Sequence, residues 1–142
     1  IQAKAEFDGC LDSLRANEQT LRAALFSDAP KAYAMIGICD GKMVGMATYY
    51  DIYSSFIAKP GIWLDDLYVY EEHRGRGIGK ALMTELCGIA QRKGCARIDW
   101  IVARDNQNGR AFYQKFGAEV FEQVRHARLD EAAIHRAMGE QA

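Results

Sequence analysis

The most informative part of the chain reads Leu67-Tyr68-Val69, then Glu71-Glu72-His73, then Arg74-Gly75-Arg76-Gly77-Ile78-Gly79-Lys80. Its first residues end a strand pattern, and a helix with one apolar face begins near Ile78. Glycines tolerate positive φ angles and let a ligand approach the backbone closely. The first turn of a helix has unpaired N–H groups and a partial positive charge, so it attracts anions. The stretch therefore predicts a strand, a glycine turn and a helix that together bind a phosphate or pyrophosphate.

Three phosphate-binding patterns compete for this turn. The Walker pattern fails because Ala81 follows Lys80 where Ser or Thr is required. The dinucleotide pattern GxGxxG fails because Lys80 stands in the place of its third glycine. What remains is Arg-x-x-Gly-x-Gly over residues 74–79, with Arg74, Arg76 and Lys80 adding positive charge. The alternative is a glycine-rich turn that binds nothing.

Length and composition bound the class of protein. The 142 residues predict one domain over residues 1–142, and 49% hydrophobic residues is ordinary globular composition. A net charge of −1 gives no reason to propose a nucleic acid as partner. No apolar run approaches the roughly 18 residues of a membrane span, so no membrane partner is expected.

The four cysteines predict neither a metal centre nor a disulfide framework. No pair has CxxC spacing, and no Cys/His cluster has zinc spacing, so no metal is predicted. We interpret them as buried free thiols of a cytoplasmic protein, with a disulfide pair as the alternative. They are Cys10, Cys39, Cys87 and Cys95.

Strand and helix patterns alternate along the chain. This order predicts an α/β or mixed α+β fold around one sheet. The predicted elements are a helix over Glu18–Phe26 capped by Asn17, strands over Tyr33–Cys39 and 43–50 joined by Asp40-Gly41, a loop over 54–61, a strand over 63–69, a helix from Ile78 to near Lys93, a strand over 96–102, a helix over 108–116, a hairpin of 120–121 with 126–129, and a helix over 130–138.

Residues 74–79 resemble the pyrophosphate-binding signature of the GNAT superfamily of acetyl-CoA-dependent N-acetyltransferases. Residues 59–69 are similar to the fourth-strand region of its spermidine/spermine N-acetyltransferase branch, and residues 106–118 resemble the second cofactor-binding segment. The resemblance covers roughly residues 6–120. It implies a mixed, mostly antiparallel sheet whose central strands splay apart around acetyl-CoA. The family's usual first strand has no counterpart before Glu6, so we expect the native chain to contain a further N-terminal segment.

The resemblance also implies which residues bind the cofactor. Backbone groups of Leu67, Tyr68 and Val69 would pair with the acetyl and pantetheine portions. Asn106 would contact the pantetheine arm. The pyrophosphate would lie against the signature and the residue after it: Arg74, Gly75, Arg76, Gly77, Ile78, Gly79 and Lys80.

Amide formation from a thioester needs a neutral amine and a proton for the leaving thiolate. An alkyl ammonium has a pKa near 10, so a base must help to remove its proton. The resemblance implies that Tyr113, whose phenol is ordinarily protonated at neutral pH, is the general acid; a plain core tyrosine is the alternative. Asp65 stands where the branch has a glutamate, and it either removes the proton through water or anchors a cationic substrate. Asp66 is expected to face the other side of the strand and a structural partner.

The resemblance places the acceptor amine among acidic and aromatic residues. Phe7 and Asp8 match the branch's first helix, and Asp65 and Glu122 supply further carboxylates; the alternative is a solvated acidic face. Tyr49-Tyr50, Tyr53 and residues 54–56 would supply the wall and a loop of the acceptor pocket. Residues 124–128 depart from the branch, which has a tryptophan there, and this departure argues against polyamine specificity.

Together these features predict direct transfer of acetyl from acetyl-CoA to a small primary amine in a ternary complex. Polyamines, diamines and lysine-like amino acids are the candidate acceptors. The alternatives are an acetyltransferase for protein or peptide amines, a non-catalytic CoA-binding sensor, and a ping-pong route through a cysteine. The resemblance also implies a homodimer, with the last hairpin and the helix over 130–138 as the contact.

Overall fold

The computed structural model describes residues 1–139 and contains a four-stranded sheet in the order β1-β2-β3-β4. Two compact units are present, Ile1–Ile101 and a second that begins at Val102. Residues 140–142 of the predicted single domain lie outside the described residues. The strands are β1 (Tyr33–Cys39), β2 (Lys42–Ser54), β3 (Lys59–Val69) and β4 (Ile98–Asp99), and the helices are α1 (Gln2–Phe7), α2 (Glu18–Phe26), α3 (Ile78–Arg92), α4 (Gln107–Phe116) and α5 (Glu131–Ala137).

Two antiparallel hairpins build most of the sheet. Asp40 and Gly41 join β1 to β2 with φ angles of 50° and 73°, which confirms the predicted tight turn. The predicted loop over 54–61 is too long, because β2 continues to Ser54 and β3 already begins at Lys59, which leaves residues 55–58 as the turn. Pro60 does not prevent this pairing, since a proline at the start of a strand removes little from the ladder.

Helix α3 covers one face of the sheet and forms the core of the first unit. The predicted apolar stripe is confirmed, with Leu82 and Leu86 buried and Met83 beside them. They pack over strand residues that include Ile62 and Leu64, which are 0% and 2% exposed. Each such side chain contributes about 1.5–3 kcal/mol on burial, so this layer fixes the position of the helix below the glycine turn.

Strands β3 and β4 separate after a short stretch of parallel pairing. Only Ile62 with Ile98 and Trp63 with Asp99 are paired, whereas β3 continues to Val69. The predicted mixed, mostly antiparallel sheet is therefore confirmed, and the divergence lies between β3 and the edge strand β4. The predicted strand over 96–102 is too long, because beyond Asp99 no ladder to β3 keeps the chain extended.

Two further sequence predictions are wrong. Residues 120–121 and 126–129 form no strand, since so short a pair is not stable without a larger sheet. The cysteines are not buried: Cys95 is half-buried, and the other three are exposed. Cys39 ends the edge strand β1, and Cys87 lies on the side of α3 away from the core, so their positions expose them. All four thiols are free.

Candidate active site

The glycine turn leaves the N-terminus of α3 open. Gly75 and Gly77 have φ angles of 74° and 82°, and a Cβ at either position would meet nothing within 4 Å. Gly77 is the N-cap residue, and no side chain caps the helix or adds an acid to its first turn. Side chains do cap α2, α4 and α5. The first N–H groups and the positive end of α3 are therefore available to an anion.

Of the three predicted cations beside the turn, Arg74 folds back onto the protein. Its Nε donates to the Val69 carbonyl oxygen at 2.9 Å. Its guanidinium carbon lies 5.0 Å from the ring centre of Phe7 and 5.7 Å from that of Tyr68. Arg76 and Lys80 are exposed, and neither forms an ion pair with another described residue.

The backbone at the end of β3 presents alternate residues to the open edge. Tyr70 N donates to the Val44 carbonyl, and a Cβ on Gly45 would lie 2.8 Å from Tyr68 O, so the Tyr68 backbone faces β2. Because carbonyls alternate along a strand, those of Leu67 and Val69 face away from β2. Of the three predicted backbone contacts, Leu67 lies at the edge that β4 leaves unpaired, whereas the Val69 carbonyl at this edge already accepts the hydrogen bond from Arg74 Nε.

Asp65 occupies a β-bulge. Thr48 pairs with Asp66 and Tyr49 with Leu64, so Asp65 is the extra residue of β3. The expectation that Asp65 and Asp66 face opposite sides is wrong here, because a bulge interrupts the alternation. Both carboxylates interact with side chains on the face that carries Thr48 and Tyr50 of β2. Thr48 Oγ1 donates a hydrogen bond to Asp66 at 2.9 Å. Burial, together with the charge of Asp65, raises the pKa of Tyr50.

The structural partner predicted for Asp66 is thus confirmed as the Thr48 hydroxyl, and it is not a capping N–H. Sequence reasoning missed a second neighbour of this face, Trp63. Its ring stacks on that of its cross-strand partner Tyr50, with ring centres 6.4 Å apart. Tyr49 instead stacks on Tyr33 on the opposite face. Tyr53 follows Tyr49 at an even spacing along β2 and shares its face, so Tyr50 is the predicted wall tyrosine that accompanies Asp65.

Helix α1 brings Phe7 and Asp8 to the same region. The Phe7 ring meets Tyr68 edge-on with ring centres 6.0 Å apart. The Asp8 carboxylate pairs with Lys4, whose Nζ also lies 3.6 Å from Asp66 Oδ1. Lys4 is the other residue that the sequence analysis did not single out. The face with Thr48 therefore carries three carboxylates and one lysine from two elements.

Three predicted site residues lie in the second unit. Asn106 caps α4 by accepting a hydrogen bond from Gly109 N at 2.9 Å. Tyr113 is half-buried on α4, with its ring edge-on to Phe112 at 5.2 Å between ring centres. Glu122 pairs with Arg110. Their roles toward cofactor and acceptor stay predictions.

Other features of the described residues lie apart from this region. A cavity of about 570 Å³ opens between α1 and α2, and none of the predicted site residues lines it. No group of three or more His, Cys, Asp or Glu side chains within residues 1–139 is arranged to hold a metal ion. Over the same range, no helix combines the length and apolar character that crossing a membrane requires.

Comparison with known proteins decides the family. The sequence model of the acetyltransferase (GNAT) family matches residues 5–118. The chain belongs to this family. GNAT acetyltransferases take their acetyl group from acetyl-CoA. The pyrophosphate of acetyl-CoA fits the open N-terminus of α3, and its extended pantetheine arm fits the edge of β3 at Leu67, beside the Val69 carbonyl that Arg74 occupies.

Relatives of this GNAT chain include enzymes named for small amines. L-ornithine N5-acetyltransferase NATA1 of Arabidopsis thaliana is 36% identical over 95 residues, which make up 67% of this chain and 42% of that protein. Thialysine N-epsilon-acetyltransferase of Sus scrofa is 31% identical over 129 residues, or 83% of this chain and 74% of that protein. The chain thus spans less than half of the first relative. A spermidine/spermine N(1)-acetyltransferase-like protein of Homo sapiens also matches, which confirms the resemblance to this branch.

Solved structures share the GNAT fold. The integron cassette protein VCH_CASS6 from the mobile metagenome of V. cholerae has a TM-score of 0.78 at 26% identity, covering 97% of this chain and 86% of that one. An aminoglycoside acetyltransferase from a soil metagenome, in complex with sisomicin, has a TM-score of 0.75 at 21% identity over 89% of this chain and 82% of that one. The second likeness supports the fold alone.

Proposed function

We propose that the protein transfers the acetyl group of acetyl-CoA to the primary amine of a small molecule. The observation that carries the proposal is the glycine turn, which leads from the open edge of β3 into the uncapped N-terminus of α3. Backbone N–H groups of residues 75–80 would hold the pyrophosphate, with Arg76 and Lys80 beside it. Relatives named for ornithine, thialysine and tyramine support a small amine as acceptor.

In the proposed mechanism, bound acetyl-CoA supplies a thioester that an amine can attack. Asp65 is exposed on its bulge, and it accepts the proton of the incoming ammonium through a water molecule. This step is needed because an alkyl ammonium with a pKa near 10 is almost wholly protonated at neutral pH. Tyr113 holds on its Oη the proton that the departing sulfur takes up. The amine and acetyl-CoA are bound together, so transfer is direct.

The half-buried Cys95 is a poor candidate for the acetylated cysteine of a ping-pong route. Burial raises the pKa of the Cys95 thiol, which makes the nucleophilic thiolate scarcer. The other three thiols lie exposed at the surface. Mass spectrometry of the protein after incubation with acetyl-CoA alone should detect no acetylated cysteine. An acetylated cysteine that disappears when amine is added would instead establish the ping-pong route.

The proposed function is tested by thiol release from acetyl-CoA with a panel of acceptors. The panel contains spermidine, putrescine, ornithine, lysine, thialysine, tyramine and a short peptide, and a reaction without amine measures hydrolysis. Release that depends on one class of small amine supports the proposal. Release with the peptide alone would favour a protein acetyltransferase. Tight binding of acetyl-CoA without release would favour the sensor, and both results would overturn the proposal.

The base role of Asp65 predicts a loss of activity that shrinks at high pH. Asp65→Asn should lower kcat/KM for the amine by about 10²-fold at neutral pH, since general-base catalysis contributes 10²–10⁴-fold. The deficit should fall as the pH approaches the pKa of the amine near 10, where the neutral amine no longer needs a base. The measurement is a pH profile of kcat/KM for both proteins.

The control for this variant is Asp51→Asn. Asp51 also lies on a strand, but its carboxylate pairs with Lys93 at the end of α3, on the opposite face of the sheet. It should behave as the original protein does. A deficit in Asp65→Asn that appears in the KM for the amine and persists at high pH would assign Asp65 as a substrate anchor instead.

We also propose that the protein is a cytoplasmic homodimer. Four free cysteines are typical of a reducing compartment. The second unit exposes apolar side chains that a partner copy would cover. Sedimentation velocity at micromolar concentration should give a dimer, and a monomer would contradict this proposal. The apolar side chains, each at least half exposed, are Phe121, Val124, Leu129, Ile134 and Met138.

A further inference from the structure

Lys4 places a positive charge among the carboxylates that were predicted to receive the acceptor. Its side chain is only 15% exposed, and its Nζ pairs with Asp8 while lying 3.6 Å from Asp66 Oδ1. The other Asp66 oxygen accepts the Thr48 hydroxyl. Lys4 therefore joins α1 to β3 through two carboxylates that no longer act as unpaired anions.

A polyamine needs several unpaired carboxylates along its binding groove, because each of its ammonium groups must be matched by a negative charge. Without Lys4, the side chains of Asp8 and Asp66 would present a charge of −2; with it, the three side chains present −1. A second cation reinforces the effect, since the Arg74 guanidinium lies over the ring of Phe7, next to Asp8 in the chain. This corner of the molecule is therefore poor in net negative charge.

We propose that Lys4 determines acceptor specificity: it disfavours polycations and favours an amino acid that carries a terminal amine and a carboxylate. This inference rests on the proposed function and names the substrate class of the same site. A lysine ammonium has three N–H donors, and its hydrogen bond to Asp8 occupies one of them, so donors remain for the carboxylate of the acceptor. Asp65, on the face shared with Tyr50 and Trp63, receives the amine to be acetylated.

Lys4→Met tests the proposal because methionine keeps much of the aliphatic stem and removes the charge. The ratio of kcat/KM for spermidine to kcat/KM for ornithine should rise about tenfold, as expected for one unit charge at short range partly screened by water. Titration calorimetry should show correspondingly tighter binding of spermidine to the CoA-bound protein. Lys4→Arg keeps the charge and should keep the original ratio.

Arg22→Met is the matched control. Arg22 also pairs with an acid one helical turn away, Glu18, but this pair lies exposed on α2. The variant removes the same charge without touching the acceptor region, so the ratio should stay unchanged. Circular dichroism and thermal melting identify a Lys4 variant that is merely misfolded.

The outcomes separate the inference from the proposed function. An unchanged ratio in folded Lys4→Met, or an equal loss with both amines, would overturn the specificity role and assign Lys4 a structural one. If the original protein acetylates no amine, the proposed function fails. Calorimetry then still decides whether removing Lys4 strengthens spermidine binding.

Discussion

Replacing Tyr113 by phenylalanine should lower kcat by about 10²- to 10³-fold while the affinity for acetyl-CoA changes little. The substitution removes a single oxygen from α4 and leaves the ring, so the edge-on contact with Phe112 is retained. Without the phenol, the departing thiolate must take its proton from water. Steady-state kinetics with the best amine of the panel gives kcat, and calorimetry with acetyl-CoA gives the affinity.

Tyr53→Phe controls for the loss of a phenol as such. Tyr53 lies 66% exposed near the end of β2 on the face of Tyr49, opposite to Asp65, so it is outside the proposed machinery. Its variant should keep full activity. If Tyr113→Phe kept most of its kcat, the general acid would have to be another group. A parallel loss of thermal stability and kcat would show instead that the Tyr113 hydroxyl serves the structure.

The sequence predicts those parts of the fold that local patterns determine. Apolar spacing gives the buried stripe of α3, and Asp40-Gly41 gives the first hairpin turn, because both depend on neighbours along the chain. The extent of β4 does not follow from its own residues. It depends on where β3 diverges, and that divergence is a property of two strands 36 positions apart at the Ile62–Ile98 pair.

In the candidate site, too, features set by neighbouring residues were predicted, and features set by tertiary contacts were not. The sequence predicts the glycine turn because positive φ angles and an uncapped helix N-terminus depend on residues that are neighbours in the chain. The sequence does not predict the bulge at Asp65, since a bulge is defined by which residues of β2 pair with β3. Lys4 and Asp8 look like an ordinary helical i,i+4 pair until the tertiary contact with Asp66 is known. Residues that gain their role from a partner strand or helix were therefore the ones missed.

Gly77→Asp should weaken acetyl-CoA binding about 100-fold while leaving the fold intact. The new carboxylate would lie at the open end of α3, where it repels the pyrophosphate and competes for the same N–H groups. Two effects on stability oppose each other. A non-glycine residue at a φ of 82° costs about 1 kcal/mol, whereas an acidic side chain at a helix N-terminus contributes about 1 kcal/mol. Calorimetry gives the affinity, and thermal melting gives the stability.

Gly94→Asp is the matched control at the other end of the same helix. Gly94 follows α3, has a φ angle of 66°, and like Gly77 has nothing within 4 Å of an added Cβ. The two variants add the same charge at a comparable backbone conformation. They differ in that one carboxylate lies at the N-terminus of α3 and the other at its C-terminus. Gly94→Asp should be the less stable protein, because a carboxylate disfavours a helix C-terminus, yet it should bind acetyl-CoA normally. Equal losses of affinity in both variants would mean that strain or net charge, and not an anion site at Gly77, explains the effect.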